Sequence, residues 1–104
     1  MYAGAPVEMP WAEKAKAILW SYYAGMEGGT ALAEILSGKV NPSGKLAETF
    51  IRDASQCPAH TIGTFGKKDR VEYREGVMVG YRYYDTKKTD VLFPFGHGLS
   101  YTAF

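Results

Sequence analysis

The sequence predicts an α/β chain: two helices and a few short strands, followed by an extended, loop-rich segment with short β-strands. Three observations support this prediction. Apolar residues recur at helical spacing between positions 11 and 22, glycine bounds a second apolar stretch at residues 30–38, and apolar and aromatic residues alternate at residues 77–83. The chain has 104 residues and 46% hydrophobic content, which is the size and composition of one ordinary globular domain.

The first predicted helix begins at Pro10, because the first helical position tolerates the missing N–H of proline. Residues 1–9, before it, are interpreted as a strand end and a loop. The apolar stripe of the helix consists of Trp11, Ala15, Ile18, Leu19 and Tyr22. Gly25 is expected to end the helix by adopting a left-handed conformation.

The second predicted helix is shorter and follows a flexible glycine pair. Thr30 is the expected N-cap, since its hydroxyl can accept a backbone N–H of the first turn. Gly38 is expected to end the helix. The predicted buried face consists of Leu32, Ile35 and Leu36.

The remainder is predicted to be extended and rich in loops. Residues 41–44 (NPSG) have the proline and glycine placement of a tight turn. Residues 52–70 form a long connection without periodicity, which is typical of a functional loop or an interdomain linker. Strands or extended segments are predicted at residues 45–51, 71–73, 77–84 and 91–95. In the third of these, one face carries Val77, Val79, Tyr81 and Tyr83.

The composition excludes several classes of protein. A net charge of +1 gives no reason to expect a nucleic acid or an anionic membrane as partner. The apolar runs are far shorter than the roughly 20 residues that span a bilayer. Residues 1–4 (MYAG) do not begin a signal peptide, and the composition indicates no compartment. The single cysteine, Cys57, excludes an internal disulfide framework and a cysteine-based zinc site.

Four segments together resemble one known family. They are residues 5–11 (APVEMPW), 24–46 (AGMEGGTALAEILSGKVNPSGKL), 71–85 (VEYREGVMVGYRYYD) and 92–101 (LFPFGHGLSY). In this order they resemble the C-terminal part of family 3 glycoside hydrolases of the β-glucosidase type. The resemblance covers nearly the whole chain.

The resemblance implies a division of the chain into two parts. Residues 1–51 are similar to the C-terminal portion of that family's α/β sandwich domain. Residues 52–104 are similar to the linker that leads toward a fibronectin-like domain, which this sequence lacks. The predicted helices and strands are too few to close a parallel sheet, whose strands need neighbours on both sides. We therefore expect an incomplete fragment of an α/β sandwich domain, from a larger enzyme or a split gene.

The resemblance also implies which chemistry the parent performs. A retaining glycosidase needs two carboxyl groups about 5–5.5 Å apart. In the family, the nucleophilic aspartate lies on the barrel domain, and the acid/base glutamate lies upstream of the segment matching residues 8–11. Neither position exists here, so no catalytic residue is assigned. The reaction implies no metal and no organic cofactor.

Six acidic residues of this chain are candidates for a substitute catalytic pair. The candidates are Glu8, Glu27, Glu48, Glu72, Glu75 and Asp85. Glu72 and Glu75 lie three positions apart in a segment expected to be extended, where alternation places them on opposite faces. Direct catalysis by this chain alone is therefore not expected.

Glu27 and Arg82 are the candidate substrate-binding residues. Glu27 precedes a helix, where it could contact a sugar at the mouth of a pocket or satisfy backbone N–H groups of the helix N-terminus. Arg82 lies among Tyr81, Tyr83 and Tyr84, and aromatic faces beside a cation suit a hydroxyl-rich ligand. The alternative for Arg82 is a half-buried strand on which it pairs with a carboxylate such as Glu75. The structural alternative is favoured for both residues.

Other chemically suggestive residues are interpreted as structural. His97 lies between two glycines, and with His60 as its only companion it is a weak signal for a metal or a general base. The motif around it is a junction to the next domain in the resembled family. Cys57 is interpreted as an incidental thiol, and Trp11 and Trp20 as packing residues.

Three hypotheses follow for the function. The leading one is a structural, domain-bracing part of a β-glucosidase-like hydrolase that acts on terminal β-linked sugars. Its partners are then the barrel domain, the rest of the sandwich domain, and a β-glucoside or oligosaccharide substrate. The alternatives are a non-catalytic carbohydrate-binding or protein-interaction module, suggested by the 14% aromatic content, and a truncated product that self-associates through exposed apolar faces.

Overall fold

A computed structural model describes residues 1–62 and 65–103 of the chain. Gly63 and Thr64, in the predicted connection, and Phe104 lie outside the described residues. Three α-helices are present in the described part: α1 at Gly28–Leu36, α2 at Pro58–Thr61 and α3 at Tyr81–Lys87. Two 3₁₀ helices occur at Ala12–Lys14 and Ala54–Gln56. Strand pairing in this part is limited to one antiparallel bridge between Phe50 and Phe93, so the predicted α/β character is confirmed only in its helical component.

The first predicted helix is wrong. Only Ala12–Lys14 coil into a short 3₁₀ turn, and Ala15 is already extended with φ −89° and ψ 129°. Residues 17–20 are four consecutive apolar residues, including a β-branched and an aromatic one. Such a run suits an extended strand covered on both faces as well as it suits a helical stripe. Tyr22, with φ 47°, then turns the chain where the helix was expected to continue.

Helix α1 confirms the second predicted helix, with shifted details. It begins at Gly28 with Glu27 at the N-cap, whereas Thr30 was the expected cap. It stops where predicted, because Gly38 adopts φ 77° and donates its N–H to the Ile35 carbonyl oxygen. Leu36 is 68% exposed, so its predicted burial is wrong.

The aromatic segment predicted as strands is mostly helix and turn. Gly76 and Gly80 have positive φ angles, 58° and 62°, which are incompatible with one continuous strand through residues 76–84. Helix α3 starts immediately after Gly80 and ends at Lys87, and the following residue, Lys88, is left-handed with φ 54°. The alternation at residues 77–83 therefore does not mark a strand face, and Val77 is 76% exposed. Residues 71–73 also form no strand.

The remaining predictions are partly met. The segments at residues 45–51 and 91–95 form one bridge, between Phe50 and Phe93, and residues 47, 48 and 92 are bends. Leu46 also exchanges backbone hydrogen bonds with Gly96 and His97. Residues 1–9 contain no strand, and residues 41–44 form no tight turn. The connection at residues 52–62 is more ordered than expected: Asp53 accepts the Ser55 N–H and starts a 3₁₀ turn, and Pro58 starts α2.

The core is a small aromatic cluster centred on Phe50, which is 1% exposed. The Trp20 ring meets it edge to face at 4.8 Å, and the Phe93 ring lies at 6.4 Å. His97 stacks on Phe93 at 5.3 Å. The cluster joins Trp20 and Phe50 to Phe93 and His97, so the C-terminal third of the chain packs on the N-terminal half.

Many large apolar side chains remain exposed. Examples are Tyr23 at 83%, Met26 at 99% and Tyr73 at 89% exposed. Within the described part of the chain, every helix is too short to span a membrane.

Candidate functional site

A cavity of about 580 Å³ opens on one side of the molecule. Its walls come from four parts of the chain: the loop at residues 6–8, the segment at residues 47–51, helix α2 and the start of α3. The chemically distinctive side chains on these walls are Glu8, Glu48, Cys57, His60, Glu75, Tyr81, Tyr84 and Phe95. The cavity therefore combines carboxylates with aromatic rings.

An aromatic pair forms one wall of this cavity. Gly80 turns the chain into α3 and places Tyr81 in the first turn. The Tyr81 ring stacks on Phe95 with centroids 4.8 Å apart and planes 20° apart. The Arg82 guanidinium lies 5.8 Å from the centroid of the Tyr81 ring. Both contacts restrain the orientation of Tyr81, which lines the cavity.

Tyr84 lies deeper in the same wall and is 8% exposed. Burial raises the pKa of Tyr84 to about 12, and the nearby Cys57, Tyr83 and Glu75 side chains add to the rise. At neutral pH the phenol is therefore uncharged, and it can donate or accept a hydrogen bond but cannot serve as a general base.

The carboxylates on the cavity wall differ in their engagement. The Glu8 carboxylate accepts the Ala54 N–H at 2.5 Å and thereby ties the N-terminal loop to the second 3₁₀ turn. Glu48 and Glu75 have no ion-pair partner within the described residues. Sequence reasoning named both among its acidic candidates, but only the fold brings them to one cavity.

Glu27 lies at the N-terminus of α1, outside this cavity. Its carboxylate accepts the Thr30 hydroxyl at 2.9 Å, and its backbone carbonyl accepts the Ala31 N–H. The position favours negative charge because the helix dipole is positive there. This arrangement differs in detail from the expected one, since the carboxylate binds a hydroxyl instead of backbone N–H groups.

Arg82 is exposed on α3 and also does not line the cavity. Among the ion pairs of the described chain none joins Arg82 to Glu75, so that expected pair is absent. Glu72 instead binds two guanidinium groups, those of Arg70 and Arg74. The two candidate binding residues, Glu27 and Arg82, are thus not assembled around the cavity.

The remaining chemically suggestive residues have packing roles. His97 stacks on Phe93, and its backbone carbonyl accepts the Leu46 N–H at 2.8 Å. Cys57 is a free, half-buried thiol. Within residues 1–62 and 65–103, three or more histidine, cysteine or acidic side chains nowhere converge as a metal site would require.

A second constellation, which sequence reasoning missed, holds the C-terminal segment in place. The Asn41 side chain accepts hydrogen bonds from the Tyr101 N–H and the Ser100 hydroxyl, and it donates one to the Thr102 hydroxyl. The Lys45 ammonium donates to the Gly98 carbonyl at 2.5 Å. We call Asn41, Lys45 and the residues they bind at positions 98–102 the junction clamp. No local signal indicates these bonds, because they join residues about sixty positions apart, whereas a turn asparagine bonds to the backbone two residues on.

Comparison with known proteins gives a consistent result. Residues 1–101 match the model of the glycosyl hydrolase family 3 C-terminal domain. The thermostable beta-glucosidase B of Acetivibrio thermocellus is 59% identical over 101 residues, which are 97% of this chain and 13% of that protein. Beta-glucosidase BoGH3A of Bacteroides ovatus is 50% identical over 105 residues, which cover 98% of this chain and 14% of that protein.

Solved structures agree in fold. A beta-glucosidase from Kluyveromyces marxianus in complex with glucose matches with a TM-score of 0.91 and 43% identity, covering 98% of this chain and 12% of that one. Beta-glucosidase 3B of Thermotoga neapolitana in complex with glycerol matches with a TM-score of 0.88 and 43% identity, covering 97% and 15%. The chain thus spans less than a sixth of each of these four proteins.

Proposed function

We propose, from the premise that this chain belongs to the C-terminal domain of glycosyl hydrolase family 3, that it is a structural part of a β-glucosidase-type retaining hydrolase. The parent would release terminal β-linked sugars from glucosides or short oligosaccharides. The proposal is supported by relatives that are named as beta-glucosidases and that are 50–59% identical to this chain. The substrate and the reaction belong to the parent, of which the chain is a minor share.

The structural role is supported by the way the chain uses its carboxylates. Six of its 11 acidic side chains already bind protein groups: Glu8, Glu27, Glu34, Asp53, Glu72 and Asp90. A retaining mechanism needs one carboxylate free to attack the sugar and a second carboxyl group to donate a proton. A side chain that is committed to a backbone N–H or a cation serves poorly in either role.

The observation that carries the proposal is the junction clamp. It fastens residues 98–102 to the loop that follows α1, through polar contacts that bridge about sixty positions of sequence. We propose that residues 1–51 complete the sandwich domain and that residues 52–104 lead from it toward a fibronectin-like domain. The clamp would then fix the direction in which the chain enters that domain.

The parent would supply the partners of this chain. The barrel domain and the rest of the sandwich domain would cover exposed apolar side chains such as Tyr23, Met26 and Tyr73. In the absence of these partners, the same side chains would favour self-association of the isolated chain. Sedimentation of the isolated chain as a well-behaved monomer at high concentration would count against this part of the proposal.

A chromogenic β-glucoside tests the main claim. We expect no turnover above background from the 104-residue chain alone, and full turnover from the whole polypeptide. In the whole polypeptide, Glu48→Gln and Glu75→Gln should each leave kcat within a few-fold of the unchanged enzyme. Loss of a catalytic carboxylate would instead lower kcat by several orders of magnitude. A loss of that size in either variant would contradict the structural role.

A carbohydrate-binding role is the second candidate, and the cavity walled by Tyr81, Tyr84 and Phe95 favours it. Aromatic faces beside carboxylates suit the apolar faces and the hydroxyl groups of a sugar. Calorimetric titration of the isolated chain with glucose and cellobiose tests this role. Saturable binding that Tyr81→Ala removes and Tyr73→Ala leaves unchanged would support it, and the absence of heat at millimolar sugar would exclude it.

A further inference from the structure

The connection between helices α2 and α3 carries an exposed segment that is held at both ends. At its N-terminal end, the Ile62 N–H closes α2 with a hydrogen bond of 2.9 Å. At its C-terminal end, the Glu72 carboxylate binds two guanidinium groups. Residues 65–69, between these anchors, are all exposed. Residues 68–71 belong to no helix or strand, and no hydrogen bond joins their backbone to another described backbone group.

The two lysines of this segment differ from the other basic residues of the chain. Within the described residues, the ammonium groups of Lys67 and Lys68 are in no ion pair. Lys16 is also exposed, but it lies close to the half-buried residues 18–20. The other basic residues lie in a helix, beside a hydrogen-bonded backbone group or in an ion pair: Lys14, Lys39, Lys45, Arg52, Arg70, Arg74, Arg82, Lys87 and Lys88. A protease reaches such sites only after local unfolding, whereas the lysine pair is accessible in the folded chain.

We propose that the peptide bonds after Lys67 and Lys68 are a proteolytic processing site, and that the cut chain persists as one non-covalent assembly of two fragments. The partner is a protease whose specificity pocket binds a lysine side chain. Exposed loop tips with polar residues are the preferred sites of such cleavage. Water is the second reactant: its hydroxyl joins the carbonyl carbon of the cut bond, and its proton goes to the released nitrogen.

The two fragments are held together by contacts that the cut leaves intact. The Phe50 N–H donates to the Phe93 carbonyl oxygen at 2.8 Å, and the Leu92 N–H donates to the Phe50 carbonyl oxygen at 2.9 Å. The Arg52 guanidinium pairs with the Asp90 carboxylate at 2.9 Å. The junction clamp joins the same two parts of the chain. The aromatic core and the clamp therefore both bridge the two fragments.

The cut changes how the stability of the assembly depends on concentration. In the intact chain, the connection holds the two parts at an effective concentration on the order of 1 mM. After the cut, the same contacts must form between two separate molecules, so dilution favours dissociation. The urea midpoint of the cut chain should therefore rise with protein concentration, while that of the intact chain should not.

Limited digestion of the 104-residue chain with trypsin, followed by mass spectrometry, tests the site. We expect cleavage after Lys67 or Lys68 to be at least about tenfold faster than cleavage at any other basic residue. The two fragments should co-elute in size-exclusion chromatography and separate in guanidinium chloride. A faster cut elsewhere, or similar rates at all basic residues, would overturn the site. Separate elution of the fragments without denaturant would overturn the assembly.

A pair of double variants tests whether the lysines themselves define the site. Lys67→Ser with Lys68→Ser should slow the first cleavage at least about tenfold. Lys14→Ser with Lys16→Ser removes the same charge and should leave that rate unchanged. Undiminished cleavage of the first variant, at Arg70 or elsewhere, would overturn the assignment to the lysine pair.

Digestion of the whole polypeptide completes the test. It should release a C-terminal fragment that begins with Lys68 or Asp69, and the absence of this fragment would overturn the site in the parent. None of these measurements involves a sugar or a hydrolase activity. Failure of the processing site is therefore distinguishable from failure of the proposed β-glucosidase function.

Discussion

The Asn41 side-chain oxygen accepts the backbone N–H of Tyr101 at 2.8 Å, although 60 positions separate the two residues in sequence. The Tyr101 hydroxyl in turn donates to the Ile35 carbonyl at 2.6 Å, near the C-terminus of α1. The same carbonyl accepts the Gly38 N–H, so the distant hydroxyl adds a second hydrogen bond at the helix end. The C-terminal segment thus packs on the helix end while Asn41 holds the segment in place.

Asn41→Ala is expected to release the C-terminal segment. It removes the hydrogen bonds to Ser100, Tyr101 and Thr102, and partly exposed bonds of this kind contribute roughly 0.5–1.5 kcal/mol each. We expect the free energy of unfolding to fall by about 1–3 kcal/mol, measured by urea denaturation. Ser43→Ala, two residues away on the exposed loop, is the matched control and should change it by less than about 0.5 kcal/mol. Equal stability of the two variants would show that the clamp contributes little.

Gly98→Ala and Gly29→Ala are expected to act in opposite directions. A Cβ at Gly98 would lie 2.5 Å from the backbone carbonyl oxygen of Gly44, so the two segments would have to separate. We expect a loss of about 1–3 kcal/mol in the free energy of unfolding. A Cβ at Gly29 meets nothing within 4 Å and lies in α1, where alanine is preferred over glycine by at most about 1 kcal/mol. Thermal unfolding should therefore shift down for the first variant and slightly up for the second.

Phe50→Ala should be the most damaging single truncation. The ring is 1% exposed and packs against Trp20 and Phe93. Removing a buried phenylalanine ring costs about 3–5 kcal/mol, which is comparable to the whole stability of a small domain. We expect the variant to lose the cooperative unfolding transition, which tryptophan fluorescence monitors. Tyr73→Ala, at a side chain that is 89% exposed, should leave the transition unchanged. A cooperative transition retained by Phe50→Ala would show that the cluster is not the core.

The sequence was informative where a local signal decided the structure. Helix α1 was predicted because its apolar spacing and the glycine after it act over a few residues. The segment at residues 17–20 was misassigned because four apolar residues in a row fit a helical stripe and a two-sided strand equally well. Which one forms depends on Met1 and Phe50, which lie far away in sequence.

In the candidate site, too, the sequence indicates residue types, whereas contacts between distant segments decide the arrangement. Glu48 and Glu75 could be named as acids from the sequence, but their common cavity depends on how α2, α3 and the N-terminal loop pack. Tyr81 and Tyr83 were expected to share one face of a strand with Val77 and Val79. Positive φ at Gly80 converts that strand into a helix start, and only Tyr81 and Tyr84 then reach the cavity. The positive φ angles of Gly76 and Gly80 thus decide the geometry of this segment. The spacing of apolar residues, from which a strand was predicted, does not report such angles.

Tyr84 should make the chain sensitive to alkaline pH. Its pKa is raised from 10.0 to about 12, so the folded state favours the neutral phenol. Below pH 10 the phenol is neutral in both states and the shift has no effect. Between pH 10 and about 12 the unfolded chain ionises first and binds fewer protons, so the free energy of unfolding falls with rising pH, by at most about 3 kcal/mol.

Urea denaturation at pH 9 and pH 11 measures this loss. Tyr84→Phe should reduce the difference between the two pH values, because the titrating hydroxyl is gone. Tyr73→Phe removes an exposed phenol and should leave the difference unchanged. An absorbance titration at 295 nm should show one fewer tyrosine of high pKa in the Tyr84→Phe variant. If both variants lose stability equally between pH 9 and pH 11, burial of Tyr84 is not the cause of the alkaline sensitivity.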